Sequence, residues 1–330
     1  MSIMKVGLLF PEFGSQHVGM GKELYDSSRL MQEYFEEASH CLNTNFVKLC
    51  FASSDHELAR IEHAYASLFL MSSAIGSLVR QQGIKPVAVA GFGLGEFAAL
   101  QYAGSLSFPD GLYFLTKYAQ LYQSILNTHT LRCIYVEHGD VRSLKQYCKE
   151  ASSGKQQANI TAYISPTAAI IAGHKIAVDA VGMLAKEAGA KVTDRALDGG
   201  MHSAIMQPIT DTLEMYGEKV DIKDAQIPLI SCVDGVARVK GDLLASALFD
   251  QITSPVRWDK LMVHVALWDV VLEIGPGSTL THLIKAVWPH KQIYTINKQD
   301  DIDELAIIVL AQQPEKLKET YGSFTSRNHR

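Results

Sequence analysis

Cysteine is scarce and carries no pattern: Cys41, Cys50, Cys133, Cys148 and Cys232 are odd in number, scattered, and form no Cys-x-x-Cys pair. That spacing excludes a zinc ribbon and a disulfide framework, and no metal ligand set is expected. Long hydrophobic runs are absent too. Nothing reaches the roughly 18 apolar residues of a membrane span. The opening run Val6-Gly-Leu-Leu-Phe10 stops at Pro11 and is too short for a signal-peptide core. Positive charge is not in excess: the formal net charge of −5 gives no electrostatic footprint for nucleic acid. Repeats and low-complexity tracts are also lacking. These absences together lead to the expectation of a reduced, cytoplasmic protein that engages neither a membrane nor a nucleic acid.

What is present is ordinary globular material. Hydrophobic residues make up 47% and charged residues 20%, below the usual charged share of about 25%. A disordered chain needs the opposite balance. At 330 residues the chain has room for one large domain or two of ordinary size. Glycine, at 24, is not enriched, so its placement is what carries information.

Lys5-Val-Gly-Leu-Leu-Phe10 reads as a buried parallel strand, as does Val87-Ala-Val-Ala90. Helices are expected at 28–42, 66–81, 96–103 and 109–126, the last with Pro109 suited to a first turn. From about Asn127 the pattern changes. Strands at Cys133-Ile-Tyr-Val136 and Ala168-Ala-Ile-Ile-Ala172 alternate with helices at 141–151 and 177–188, which fits a small inserted α+β unit. Strands then resume at Pro228-Leu-Ile-Ser-Cys-Val233 and Val270-Val-Leu-Glu-Ile274. The polar residues from 314 to 330 read as a frayed tail.

The most informative string is Val87-Ala-Val-Ala-Gly-Phe-Gly-Leu-Gly-Glu96. A strand turning sharply through small residues into a helix is the setting of a nucleophile elbow, where a central Ser is projected above the sheet. Gly91 and Gly95 supply both flanks, but the centre is Gly93. A dinucleotide fingerprint fails because Glu96 stands at the third glycine, where a carboxylate would repel a pyrophosphate. A phosphate-binding Walker loop lacks its Lys and Ser/Thr. The string alone leaves open an elbow or a tight turn that merely needs small residues.

Five segments occur in order along the chain: Phe10-Pro-Glu-Phe-Gly-Ser-Gln16, Gly91-Phe-Gly-Leu-Gly-Glu96, Met201-His-Ser-Ala-Ile-Met206, Ser254-Pro-Val-Arg-Trp258 and Glu273-Ile-Gly-Pro-Gly277. Together with Ile171-Ala-Gly-His-Lys175 they resemble the malonyl-CoA:acyl-carrier-protein transacylase family, over roughly residues 4–300. The resemblance implies an α/β-hydrolase-like large domain with a parallel sheet, formed by residues 1–128 and 198–313. A ferredoxin-like α+β subdomain is expected at 129–197. It also implies acyl carrier protein and acyl-CoA as partners, with no cofactor beyond that thioester ligand.

Family roles carry over residue by residue. The general base maps onto His202, the carbonyl that orients it onto Gln251, and the oxyanion-binding N–H of the elbow onto Leu94. Other positions depart. Gly93 stands for the nucleophile Ser and Phe92 for the preceding His. The family's Gly-Gln-Gly becomes Glu12-Phe13-Gly14, putting Phe13 in place of the oxyanion Gln. Tyr65 begins the segment that replaces Gln-Pro-Ala, Tyr118 stands for the carboxylate-gripping Arg, and Ile164 for an Asn. Phe13, Phe92, Tyr65, Tyr118 and Ile164 are therefore the residues expected to line the substrate site.

Aromatic and aliphatic groups at these positions would fill and dry the cleft, and covalent transfer through Gly93 is chemically impossible. The expected product of these changes is a degenerate acyltransferase that binds a carrier protein or acyl thioester. The alternative is an enzyme in which His202 activates water or a carrier thiol. Ser203, Ser15 and Ser67 lack elbow geometry as replacement nucleophiles. Lys117, next to Tyr118, points about 100° away round its helix. Lys117, Arg257 and Lys285 are candidate docking cations, whereas His138, His174 and His264 read as surface or packing residues.

Overall fold

A computed structural model describes residues 4–195 and 199–312. The apolar run Val6–Phe10 forms β1, every residue of it buried. Five helices follow: α1 (Lys22–Ser27), α2 (Arg29–Leu42), α3 (Phe46–Ala52), α4 (Asp55–Leu58) and α5 (Ile61–Gln81). Their starts follow local chemistry. Ser28, Asn45 and Ser54 each accept a hydrogen bond from a first-turn N–H of the helix that follows. Strand β2 (Ala88–Gly91) leads through the glycine turn into α6 (Gly95–Tyr102) and then α7 (Phe108–Thr128), which Ser107 caps and Pro109 opens.

The next stretch runs β3 (Leu131–Glu137), α8 (Val141–Ala151), β4 (Ala158–Ser165), β5 (Ala168–His174), α9 (Lys175–Glu187) and β6 (Lys191–Arg195). It folds into an antiparallel sheet of order β4-β5-β3-β6, a ferredoxin-like arrangement. The chain then returns with α10 (Gln207–Gly217), β7 (Leu229–Ile230), β8 (Ala237–Arg238), α11 (Gly241–Thr253) and α12 (Trp258–Leu267). It ends in β9 (Val270–Ile274), α13 (Thr279–Val287), β10 (Gln292–Ile296) and α14 (Gln299–Gln312).

The larger sheet has the order β10-β9-β1-β2-β7-β8 and is parallel from β10 to β7. Only β8, at the edge, pairs antiparallel, so the expected parallel sheet is mixed at one margin. Strands β1 and β2 are apolar on both faces, as suits a sheet covered by helices on both sides, while β9 carries the buried Glu273, which accepts the Leu280 and Thr281 N–H groups of α13. The fold is thus α/β as the sequence implied.

Several expected elements shift at their ends. The helix expected at 66–81 begins earlier, at Ile61, and the strand expected over 228–233 shortens to two residues. The expected tail at 314–330 lies outside the described residues. Among the described residues, no helix is long and apolar enough to cross a membrane.

Backbone hydrogen bonds join the small sheet to the larger unit at Val256. The Tyr163 N–H donates to the Val256 carbonyl at 2.8 Å, and the Val256 N–H donates to the Thr161 carbonyl at 2.9 Å. Val256 lies between α11 and α12, so this joint fixes the small sheet against the carboxyl ends of the large one. Crevices at that end of a parallel sheet are where α/β proteins place their sites.

Candidate active site at the glycine turn

The turn after β2 is held by close approach. A Cβ added to Gly95 would sit 2.1 Å from the Phe10 carbonyl oxygen, so only glycine lets the start of α6 lie against the end of β1. Gly93 has φ +52, a left-handed conformation that favours glycine. A Cβ built on it would meet His202 Nε2 at 2.8 Å and Glu12 Oε2 at 3.3 Å. An elbow side chain would therefore start in tight contact with the imidazole, with the Glu12 carboxylate close by.

His202 is buried and also left-handed, at φ +57. Such backbone costs a non-glycine residue about 1–3 kcal/mol and gathers at functional sites. Its Nδ1–H donates to the Gln251 carbonyl on α11 at 2.7 Å. That bond leaves Nε2 as the unprotonated nitrogen. Nε2 is buried and meets no hydrogen-bond partner among the described residues. Burial pushes the imidazole down to about 4, against the opposing pull of the Gln251 carbonyl. The fold thus brings His202 and Gln251, 49 residues apart in the chain, into direct contact.

Glu12 follows β1, and its Oε1 accepts a hydrogen bond from Arg195 Nη2 of β6 at 3.1 Å. Burial raises its carboxyl to about 7, partly offset by the Arg195 guanidinium. A cavity of about 40 Å³ is lined by Glu12, Phe13, Phe92, Leu94, Met201 and His202 from the large unit. Cys133, Thr161, Ala162 and Ile170 complete it from the small one. The volume exceeds the ~10–15 Å³ needed by a water molecule. Leu94 caps α6, where the first N–H groups have no acceptor inside the helix.

Of the other expected residues, Phe13 and Phe92 line the cavity, and Tyr65 and Tyr118 continue from Phe13 into the core. Phe13 meets Tyr65 edge-on at 5.4 Å between ring centroids, and Tyr65 meets Tyr118 at 5.8 Å. The Tyr65 hydroxyl donates to the Met201 sulfur at 2.8 Å. Phe92 packs on Trp258 at 5.5 Å, and Ile164 belongs to the same apolar cluster. Tyr65, Tyr118 and Ile164 are buried and lie outside the cavity lining.

Lys117 points away as its helical position requires, its ammonium over the Tyr216 ring at 5.4 Å. Arg257 is ion-paired with Asp259 at 2.7 Å and lies over Tyr163, while Lys285 lines a different cavity with Asp301 and Glu304. None of these three cations borders the cavity. Ser203 Oγ donates to the Gly200 carbonyl at 2.7 Å, which ties it into its own turn. His174 is a packed residue, accepting from the Gln157 N–H, and His264 is bonded to the Gly235 carbonyl.

Sequence reasoning missed Glu12 and Arg195 as site residues. A carboxylate inside the apolar stretch 10–13 was the available signal for Glu12. Arg195 had none, standing 183 residues away on a polar strand. Glu96 was likewise unforeseen as a buried carboxyl: it accepts the Cys232 N–H at 3.0 Å, and burial raises it to about 7.

The family model described as the acyl transferase domain matches residues 8–324. The malonyl CoA-acyl carrier protein transacylase of Bacillus subtilis strain 168 is 32% identical over 313 residues, covering 94% of this chain and 98% of the relative. The Escherichia coli K12 protein of the same name is 32% identical over 286 residues, 84% and 91% of the two chains. The solved Coxiella burnetii transacylase superposes with a TM-score of 0.88 at 27% identity, covering 92% of this chain and 97% of that one. A malonyl-transacylase solved in complex with its type II polyketide-synthase acyl-carrier protein gives 0.86 at 28% identity, with 92% and 98% covered. The chain belongs to the acyl transferase domain family, among the malonyl-CoA:acyl-carrier-protein transacylases.

Proposed function

We propose that this protein binds an acyl carrier protein or an acyl thioester such as acyl-CoA in a fatty-acid or polyketide pathway of the cytoplasm, without passing the acyl group through a covalent enzyme intermediate. The observation that carries this reading is Gly93 at the centre of the turn, with His202 Nε2 only 2.8 Å from where its Cβ would stand. A glycine offers no nucleophile, and removal of a nucleophile costs on the order of a millionfold in turnover. The Phe13–Tyr65–Tyr118 wall supports the same reading, because it puts no cation where a malonyl carboxylate would need one.

Docking of an acidic carrier protein is supported by α8. Arg142, Lys145 and Lys149 are exposed along it and line a groove of about 750 Å³. That groove also contains Ala204, two residues beyond His202. Incubation with labelled malonyl-CoA followed by intact-protein mass spectrometry should show no stable adduct, while calorimetry should show carrier-protein binding. An adduct on Ser203, or on any other side chain of the cleft, would sink this reading.

A second reading is favoured by one specific feature, the buried and unpartnered Nε2 of His202 beside a water-sized cavity. There His202 activates water or a carrier thiol for direct attack on a bound thioester, with the Leu94 N–H facing the oxyanion. Thioester turnover abolished by His202→Ala supports it, and turnover indifferent to that change removes it.

A further inference from the structure

The site has gained groups as well as lost them. Glu12 and Arg195 come from opposite units and meet over the cavity at 3.1 Å. The free oxygen of Glu12, Oε2, faces the same point above Gly93 as His202 Nε2, at 3.3 and 2.8 Å from a carbon placed there. Two proton acceptors thus converge on a cavity with room for a water molecule, which also reaches Leu94. The family's own pattern, with Gly at this position, provides no such carboxylate.

We propose that Glu12 is the proton-accepting group of a thioester-hydrolysing site, acting on a water molecule held against His202, with a short acyl thioester as substrate. This rests on the second reading above, that water replaces the covalent nucleophile, and changes which residue is the base. The cavity, about 40 Å³, is small, which favours a short acyl group. In the step, the water oxygen bonds to the thioester carbonyl carbon as its proton passes to Glu12 Oε2. The tetrahedral oxyanion faces the Leu94 N–H. Collapse breaks the C–S bond, and the proton returns from Glu12 to the departing thiolate. The products are a carboxylic acid and a free thiol, with nothing oxidised or reduced.

The order of proton affinities agrees with this assignment. His202 is driven down to about 4 and Glu12 up to about 7, so near neutral pH the carboxyl is the group that exchanges a proton. Arg195 of β6 is the charged group facing Glu12, and Tyr135 of β3 lies in the field of that same guanidinium. His202 faces it from the segment before α10, and Cys133 and Thr161 face the cavity from β3 and β4.

The test uses the full chain with acetyl and malonyl groups carried on coenzyme A and, separately, on a holo carrier protein. Thiol release is followed by a colorimetric thiol reagent. We expect release by the wild type, with the better carrier identifying the physiological thioester. Glu12→Gln should lower kcat by on the order of 100-fold with little change in KM. Glu12→Asp should restore part of the rate, and Arg195→Gln should shift the acid limb of the pH–rate profile to higher pH. A Glu12→Gln variant with full activity overturns the proposal. If His202→Ala alone abolishes turnover, water activation stands and Glu12 is not the base. If the wild type releases no thiol from either carrier, both hydrolytic readings fall and binding alone remains. A covalent acyl adduct found by mass spectrometry would overturn all three.

Discussion

A carbon added to Gly93 would press on His202 Nε2 at 2.8 Å, closer than real carbon contacts come, on a backbone at φ +52. Placing a hydroxyl at this position therefore requires the imidazole to shift. Gly93→Ser should destabilise the fold by about 1–3 kcal/mol in urea denaturation. It should also yield no acyl-enzyme by mass spectrometry, since the imidazole must move before an Oγ can be seated. Full stability with rapid malonylation would show that the site is poised rather than closed. Glu12 makes a second prediction. Its carboxyl rises from 4.5 to about 7 on folding, so between those values the folded state holds a proton that the unfolded state has lost. The stabilisation is fully present below pH 4.5 and is lost as pH rises through 7. Glu12→Gln removes this dependence, so relative to wild type it should be more stable at pH 8 than at pH 5, by up to ~3 kcal/mol. His202 titrates with the opposite sign: kept neutral by burial, it loses stability as pH falls from 6.5 towards 4. Denaturation at the two pH values in both backgrounds separates the contributions.

At the scale of elements, the site depends on how closely α6 starts against β1. A Cβ at Gly95 would lie 2.1 Å from the Phe10 carbonyl oxygen, and one at Gly91 would lie 2.0 Å from the Glu96 nitrogen. Backbone cannot yield as a flexible side chain can. Gly95→Ala should therefore cost more than about 3 kcal/mol, read as a drop in the urea midpoint, and should disorder the turn that presents Leu94. A near-neutral result would mean the helix can slide on the sheet. Elements of this kind were legible in the sequence: β1 and β2 announce themselves as short apolar runs bounded by glycine or proline, and α8 spans the expected 141–151. Strand β6 was not legible, because Lys-Val-Thr-Asp-Arg at a sheet edge is largely exposed and carries no apolar alternation. The site divides in the same way. His202 and Leu94 lie within two of the ordered strings, and Gln251 lies just before a third, so local pattern was enough to single them out as candidates. The Glu12–Arg195 pair arises only when β6 is brought beside the end of β1, a long-range contact that local pattern does not encode.

For the whole molecule, the cleft is set by a joint. Val256 exchanges backbone hydrogen bonds with Thr161 and Tyr163, locking β4 to the segment between α11 and α12. The small sheet thereby places two things at once: the cavity wall of Cys133, Thr161, Ala162 and Ile170, and the outer helix α8. On that helix Arg142, Lys145 and Lys149 follow one another at spacings of three and four, so they share a face. The net charge of −5 says that the surface as a whole would repel an acidic partner. A local basic stripe at the groove must therefore steer the approach if an acidic carrier protein docks there. Exposed charges of this kind act over roughly a Debye length of 8–10 Å at ordinary salt. The triple change Arg142→Glu, Lys145→Glu and Lys149→Glu should consequently weaken carrier-protein binding on the order of tenfold or more at low ionic strength, chiefly by slowing association. The difference from wild type should shrink as salt is raised, while the urea midpoint changes little because all three side chains are solvated. Surface plasmon resonance at two salt concentrations measures this. Equal on-rates for wild type and triple variant would place the carrier protein on a different face.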